Sequence, residues 1–227
     1  MTDPIISTAA AADASLRLGV DVRAIPASLV PLLPGRPFSG PARPVSHRGS
    51  VDLLLQVIDE SHPGDVLVVD NGGRRDEACV GDLIMLEARE AGLSGVVIWG
   101  LHRDTAQLRE IGLPLYSLGA FPFGPRRVPP AGGAMRAAMI DGVSVTDDSH
   151  ILADDDGILV IANANWDAVA AAALEIQAVE TAQAELMREG RSLREQLDFT
   201  EYLRKQALDP SLSLRQHLVE LGKAVEV

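Results

Sequence analysis

Three features of the sequence predict an α/β fold with a largely parallel sheet. Short apolar runs alternate with segments of helical periodicity. Glycine or proline marks most of the joins, and the runs are apolar throughout, which marks them as buried strands. Residues 7–19 read as a helix capped by Ser7 or Thr8 and ended by Gly19. Residues 20–50 carry Pro26, Pro31, Pro34, Pro37, Pro41 and Pro44, so loops and short strands are expected there, including a strand over 42–46. An apolar-faced helix over 51–61 leads through Pro63-Gly64 into a strand over 65–70. Asn71-Gly72-Gly73 is a loop at that strand's carboxyl end. A helix over 81–91 stops at Gly92, a second buried strand covers 95–99, and a short helix over 104–111 precedes a strand near 114–118.

Residues 119–133 form a long Pro/Gly loop, of a length that often carries function. Strands near 142–146 and 157–161 follow, with Asp154-Asp155-Asp156-Gly157 as a tight turn. That acidic run lacks the alternating ligand spacing and terminal Glu of a calcium loop. An Ala-rich helix over 165–189, capped by Asn165 and ended by Gly190, spans roughly 37 Å at ~1.5 Å per residue. Such a length suits docking on a neighbouring subunit. Two further helices, 192–207 and 211–222, are separated at Asp209-Pro210. Ser192 with Glu195 and Ser213 with Gln216 have capping-box spacing. The expected division is an α/β domain over 1–164 and C-terminal helices over 165–227 that make oligomer contacts.

The 227 residues are 47% hydrophobic and only 4% aromatic, so the core is built from Ala, Val, Leu and Ile. A net charge of −12 argues against nucleic-acid binding, which needs clustered Lys and Arg. The single cysteine, Cys79, rules out an intrachain disulfide or a Cys-rich zinc site and reads as buried filler. A lone thiol, no basic-then-apolar N-terminal stretch and no apolar run near ~20 residues lead to the expectation of a cytoplasmic protein without a membrane span.

Chemistry concentrates between residues 71 and 104. Gly81-Asp82-Leu83-Ile84 opens a helix, where unpaired amides and the positive end of the dipole offer a seat for a carboxylate. Gly100-Leu101-His102-Arg103-Asp104 follows a strand directly, at the carboxyl end where open α/β sheets bind ligands. Arg103 supplies a planar fork for a carboxylate, and Asp104 a hard oxygen for Mg²⁺ or Mn²⁺. The alternative is structural: Asp104 caps the helix beginning at Thr105 and Arg103 makes a surface ion pair.

Asp82, then twenty residues, then Arg103-Asp104 resembles the signature of the RraA-like proteins. Those include class II pyruvate aldolases acting on 4-hydroxy-4-methyl-2-oxoglutarate and 4-carboxy-4-hydroxy-2-oxoadipate. Residues 63–70, Gly72-Gly73, Gly81-Asp82-Leu83, Gly92, Gly95-Val96-Val97 and residues 111–114 agree with it, and the resemblance runs from about residue 7 to residue 165. It implies a compact α/β/α sandwich-like domain assembled as a homotrimer or homohexamer, with active sites between subunits. It also implies a metal-dependent lyase that cleaves or decarboxylates small 2-oxo acids to pyruvate. By the same resemblance Asp104 is the direct metal ligand and Asp82 reaches the ion through water. Arg103 binds the substrate's carboxylate or oxo oxygen, the amides around Gly81, Asp82, Leu83 and Ile84 receive the pyruvate carboxylate, and Glu180 is a candidate contribution from an adjacent subunit. No Schiff-base lysine is needed, in keeping with Lys205 and Lys223 as the only lysines, both near the C-terminus. The chain departs from the family at Trp99-Gly100, where Asp-Gly is common. Trp99 either reshapes the pocket or ends a strand and packs against a helix, and His102 reads as a packing or hydrogen-bonding residue. Competing readings are a non-catalytic regulator of ribonuclease E and a lyase of the same mechanism acting on a different hydroxy acid. A methyltransferase is disfavoured, since no glycine-rich nucleotide loop follows the first strand.

Overall fold

A computed structural model describes residues 5–26, 28–127 and 136–221. Helix α1 (Thr8–Leu18) starts where Ser7 accepts a hydrogen bond from the Ala10 amide, and it ends at Gly19 in the left-handed conformation. The proline-rich stretch that follows holds the short strands β1 (Arg23–Ile25) and β2 (Val30–Pro31). Strand β3 (Phe38–Ser46) is longer than the five residues expected. Helix α2 (Asp52–Asp59), β4 (Val66–Asp70), β5 (Ala78–Val80), α3 (Asp82–Glu90), β6 (Gly95–Trp99), β7 (Leu101–His102), α4 (Thr105–Ile111) and β8 (Leu115–Ser117) come next. The hairpin β9 (Ala137–Ile140) and β10 (Val143–Thr146) precedes β11 (Ser149–Asp154) and β12 (Gly157–Ala162). Residues 128–133 of the expected loop over 119–133 lie outside the described residues.

The main sheet has eight strands in the order β1-β12-β11-β3-β4-β6-β8-β2. It is mixed rather than largely parallel. Only β3–β4, β4–β6 and β6–β8 run parallel; the pairs β1–β12, β12–β11, β11–β3 and β8–β2 are antiparallel. The antiparallel half is not legible in the sequence, where β11 falls in the connection between the two expected strands.

Strand β3 joins the halves. Phe38–Pro41 pairs with β11, and Ala42–Ser46 pairs with β4. The sheet curls there, so that Ala42, Val66, Val68, Val97 and Tyr116 on one face of the parallel strands share a core with Ile151, Ala153, Ile158 and Val160. The opposite face packs Val45, Leu67, Val69, Val96, Ile98 and Leu115 against α2, α3 and α4. The outer face of β11–β12 packs against α1 and the first turns of α5 (Asn163–Arg188) through Leu152, Leu159, Ile161, Val169, Ala173 and Ile176. Helices therefore cover both outer faces of a folded-over sheet.

Helix α5 begins two residues earlier than expected. Ala162 occupies the cap position and Asn165 lies in the first turn, so Asn165 is not the cap. The proposed boundary after residue 164 falls just inside this helix. Beyond it lie α6 (Leu193–Gln196), α7 (Phe199–Leu208) and α8 (Leu214–Glu220). Both capping boxes are present, at Ser192/Glu195 and Ser213/Gln216. The single helix expected over 192–207 is broken at Asp198, whose φ is 51°. Among the described residues no helix is long and apolar enough to cross a membrane.

Candidate active site at the start of helix α3

Two short strands, absent from the sequence reading, assemble the site. Strands β5 and β7 pair in parallel, Ala78 opposite Leu101 and Val80 opposite His102, and the Arg103 amide continues the ladder by donating to the Val80 carbonyl at 3.0 Å. The ladder sets Gly81-Asp82 beside Arg103-Asp104 although twenty residues separate the pairs.

The Asp82 amide donates to Asp104 Oδ2 at 3.3 Å, and the Leu83 amide donates to Asp82 Oδ1 at 2.8 Å. The first two amides of α3 thus already face carboxylates, as the helix dipole favours. Gly81 makes the approach possible: a Cβ there would lie 2.6 Å from Asp104 Oδ2 and 3.1 Å from Arg103 Nε. Asp104 sits in the left-handed region, φ 59° and ψ 40°, and its side chain makes no capping bond to α4. The structural alternative for Asp104 is therefore corrected, because its carboxylate turns to the start of α3 instead. Asp104 also lies 3.3 Å from Arg103 Nε, with side chains 34% and 48% exposed respectively.

Cavities flank this point. One of about 290 Å³ lies between α3 and α4, lined by Asp82, Leu83, Arg89 and Gln107. The other, about 500 Å³, is lined by Arg74, Glu77, Phe121, Phe123, Gly124 and Arg127. It adjoins Arg103, because a Cβ on Gly124 would lie 3.1 Å from Arg103 Nη1.

Among the described residues no three His, Cys, Asp or Glu side chains gather into a set that could enclose a metal. The oxygen donors near this point are the hard carboxylates of Asp104 and Asp82. That suits Mg²⁺, which retains most of its water and needs few protein ligands, better than zinc. Glu180 is exposed on α5, on the opposite side of the folded sheet from α3, so one chain does not bring it to Asp104.

Other candidates resolve differently. His102 is buried, with Nδ1 2.8 Å from Ser117 Oγ and Nε2 3.2 Å from Thr105 Oγ1; burial and then Arg109 push its pKa down. It holds the β7–α4 turn. Trp99 is half-buried, its indole over Gly73 rather than against a helix. Burial pushes the Cys79 thiol up to about 12, which leaves it inert. Lys205 pairs with Glu220 on the C-terminal helices, and Lys223 lies outside the described residues.

Sequence reading missed a polar cluster at the carboxyl ends of β3 and β4. His47 Nδ1 lies 2.9 Å from Asn71 Oδ1, and Glu77, 4% exposed, receives Arg127 on both carboxylate oxygens. Burial acts to raise the Glu77 pKa, and Arg127, with Arg74 and Asn71, more than offsets it, holding it below the usual range. No spacing in the sequence ties Glu77 to Arg127, fifty residues away.

The RraA-like family model, described as Aldolase/RraA, matches residues 8–160. The chain belongs to the RraA-like family. An uncharacterized protein from Pseudomonas syringae pv. tomato is 25% identical with a TM-score of 0.73, covering 84% of this chain and 92% of that one. The RNA-processing inhibitor RraA from Thermus thermophilis is 31% identical with a TM-score of 0.59, covering 66% and 91%. A structure from Geobacillus kaustophilus, described as an S-adenosylmethionine: 2-dimethylmenaquinone methyltransferase, is 28% identical with a TM-score of 0.59, covering 66% and 93%. The RraA-like family includes metal-dependent lyases and non-catalytic regulators alike.

Proposed function

We propose that this RraA-like chain is a divalent-metal-dependent lyase that releases pyruvate from small 2-oxo acids, by retro-aldol cleavage or decarboxylation. The observation that carries the reading is the meeting of Asp104 and Arg103 with the Gly81-Asp82 start of α3. Asp104 takes the αL conformation, a backbone state that recurs at functional sites, and Gly81 leaves room for its carboxylate and for Arg103 Nε.

Asp104 would hold Mg²⁺ or Mn²⁺, with Asp82 reaching it through water; such an ion supplies Lewis-acid polarisation of the 2-oxo group. Arg103 binds the substrate's carboxylate or oxo oxygen and stabilises the negative charge that develops when the carbon–carbon bond breaks. The opening turn of α3, from Gly81 to Ile84, adds its dipole to the same charge. A substrate carboxylate would share this helix end with Asp82 and Asp104, so charge compensation by the ion and Arg103 is required. Assembly as a trimer or hexamer would let Glu180 approach from an adjacent subunit.

Oxaloacetate is the first test. Pyruvate should form, stop with a chelator and resume with Mg²⁺ or Mn²⁺. No turnover of oxaloacetate or of a panel of hydroxylated 2-oxo diacids would defeat the proposal. The Thermus relative's description as an RNA-processing inhibitor favours one second reading, the non-catalytic regulator of ribonuclease E that the resemblance also allows. Stoichiometric binding to that enzyme without turnover of any 2-oxo acid would establish it.

A further inference from the structure

We propose that the ion pair between buried Glu77 and half-buried Arg127 is a positioning device for Arg103: it fixes residues 121–127 as a wall against the Arg103 guanidinium and so sets the direction of that fork. The inference rests on the reading of Arg103 as the carboxylate-binding group.

Arg103 needs such a wall. Its side chain is 48% exposed, and the carboxylate it contacts is that of its neighbour Asp104 at 3.3 Å. An exposed ion pair between adjacent residues is a weak tether for a long side chain. Gly124 lies close against Arg103 Nη1, near enough that a Cβ would stand 3.1 Å away. Wherever residue 124 is held, one side of the guanidinium is held too.

The wall is tied at three places. Near its start, the His102 amide donates to the Gly119 carbonyl at 3.0 Å and the Phe121 amide donates to the His102 carbonyl at 2.8 Å. In the middle, the Ala78 amide donates to the Phe123 carbonyl at 2.8 Å. At the end, Arg127 donates to Glu77 through Nε at 3.1 and 3.2 Å and through Nη2 at 2.8 Å. Arg127 Nη2 also donates to Asn71 Oδ1 at 3.0 Å, which links the wall to the carboxyl end of β4.

The third tie is the one that depends on charge. The Glu77 side chain is 5% exposed, so its carboxylate depends on Arg127, with Arg74 Nε 3.4 Å away as a second cation. A buried anion that loses its fork-shaped partner is left uncompensated, so the pair holds together as a unit. Glu77 also stands immediately before β5, the strand that delivers Gly81. One residue thereby registers the wall against both halves of the site.

The test is a double-mutant cycle between Glu77→Gln and Arg103→Ala, read by calorimetric binding of oxalate in the presence of Mn²⁺. If Glu77 acts through Arg103, Glu77→Gln weakens oxalate about tenfold in the parent protein and less than about twofold once Arg103 is Ala. Equal losses in both backgrounds overturn the proposal. Should Glu77→Gln fail to fold, Arg127→Lys replaces it in the same cycle, keeping the charge but not the fork; the same two outcomes decide. Absence of oxalate binding by the parent protein would defeat the lyase reading instead. The positioning claim is then decided by ¹⁵N relaxation at Arg103 Nε: greater mobility in the Glu77→Gln or Arg127→Lys protein supports it, and unchanged mobility overturns it.

Discussion

Asp104 is costly where it stands, and that cost can be separated from its chemistry. An L-residue at φ 59° gives up about 1 kcal/mol relative to glycine in the same turn. Asp104→Gly should therefore keep or slightly raise the urea midpoint while pyruvate release falls to background. Asp104→Asn, which tolerates the same turn, should lose activity alike; normal turnover in either variant would end the metal assignment. Gly81 gives the complementary case. Its φ of −131° suits any residue, so Gly81→Ala carries no backbone penalty there, yet its Cβ would meet Asp104 Oδ2 at 2.6 Å. A drop of about tenfold or more in kcat/KM, with a stability loss near or below about 1 kcal/mol, is expected from a displaced carboxylate. Arg103→Lys keeps a positive charge but loses the fork, so its KM for oxaloacetate should rise severalfold or more.

At the scale of elements, the bend in β3 carries the fold. Gly40 lies where β3 leaves β11 for β4, and a Cβ on it would drive into the Gly64 carbonyl, which is backbone and cannot rotate away. Gly40→Ala should lower the urea midpoint by the equivalent of about 2–3 kcal/mol, in the range of overpacking in a core. An unchanged midpoint would mean that the two halves of the sheet slide freely. This bend also marks the limit of what the sequence discloses. Strands β4 and β6 were legible because residues 66–69 and 95–98 are buried on both faces and bounded by glycine and proline. Helix α1 was legible from Ser7 and Gly19, and both late capping boxes from their spacing. Strands β5 and β7 were not, because two or three residues carry no periodicity, and they exist only through pairing with each other. The candidate site's members could be named from the Asp82 to Arg103-Asp104 spacing, and the fold brings them together. Its construction was not legible, since the contact of Gly81 with Asp104 and the Glu77–Arg127 tie arise from pairings at long range.

Across the whole molecule, buried histidines link stability to pH. His150 is 6% exposed, stacked on Trp166 with ring centroids 3.8 Å apart, and its Nε2 lies 2.8 Å from Ser39 Oγ. Burial lowers its pKa to about 4, against smaller upward pulls from Asn163 and Asp167. In the unfolded chain the ring takes up a proton near its ordinary 6.5. Between those values the unfolded state binds the proton that the folded state refuses, so stability falls as pH drops through the window. At ~1.4 kcal/mol per pH unit, the penalty from His150 reaches about 2 kcal/mol at pH 5. Burial likewise lowers His47 and His102, which adds to the slope in the same direction. Glu77 acts lower on the scale: its pKa is held below the ordinary value of 4.5, so its stabilisation is present above that value and is lost as pH falls through the folded one. The discriminating variant is His150→Phe, which keeps a ring against Trp166 and removes the titration. At pH 7 it should be less stable than the parent by about 1 kcal/mol, the worth of the lost Ser39 hydrogen bond. By pH 5 that deficit should close or reverse, because only the parent then carries the proton penalty. Urea midpoints measured at the two pH values decide the matter, and a deficit of the same size at both would locate the acid sensitivity elsewhere.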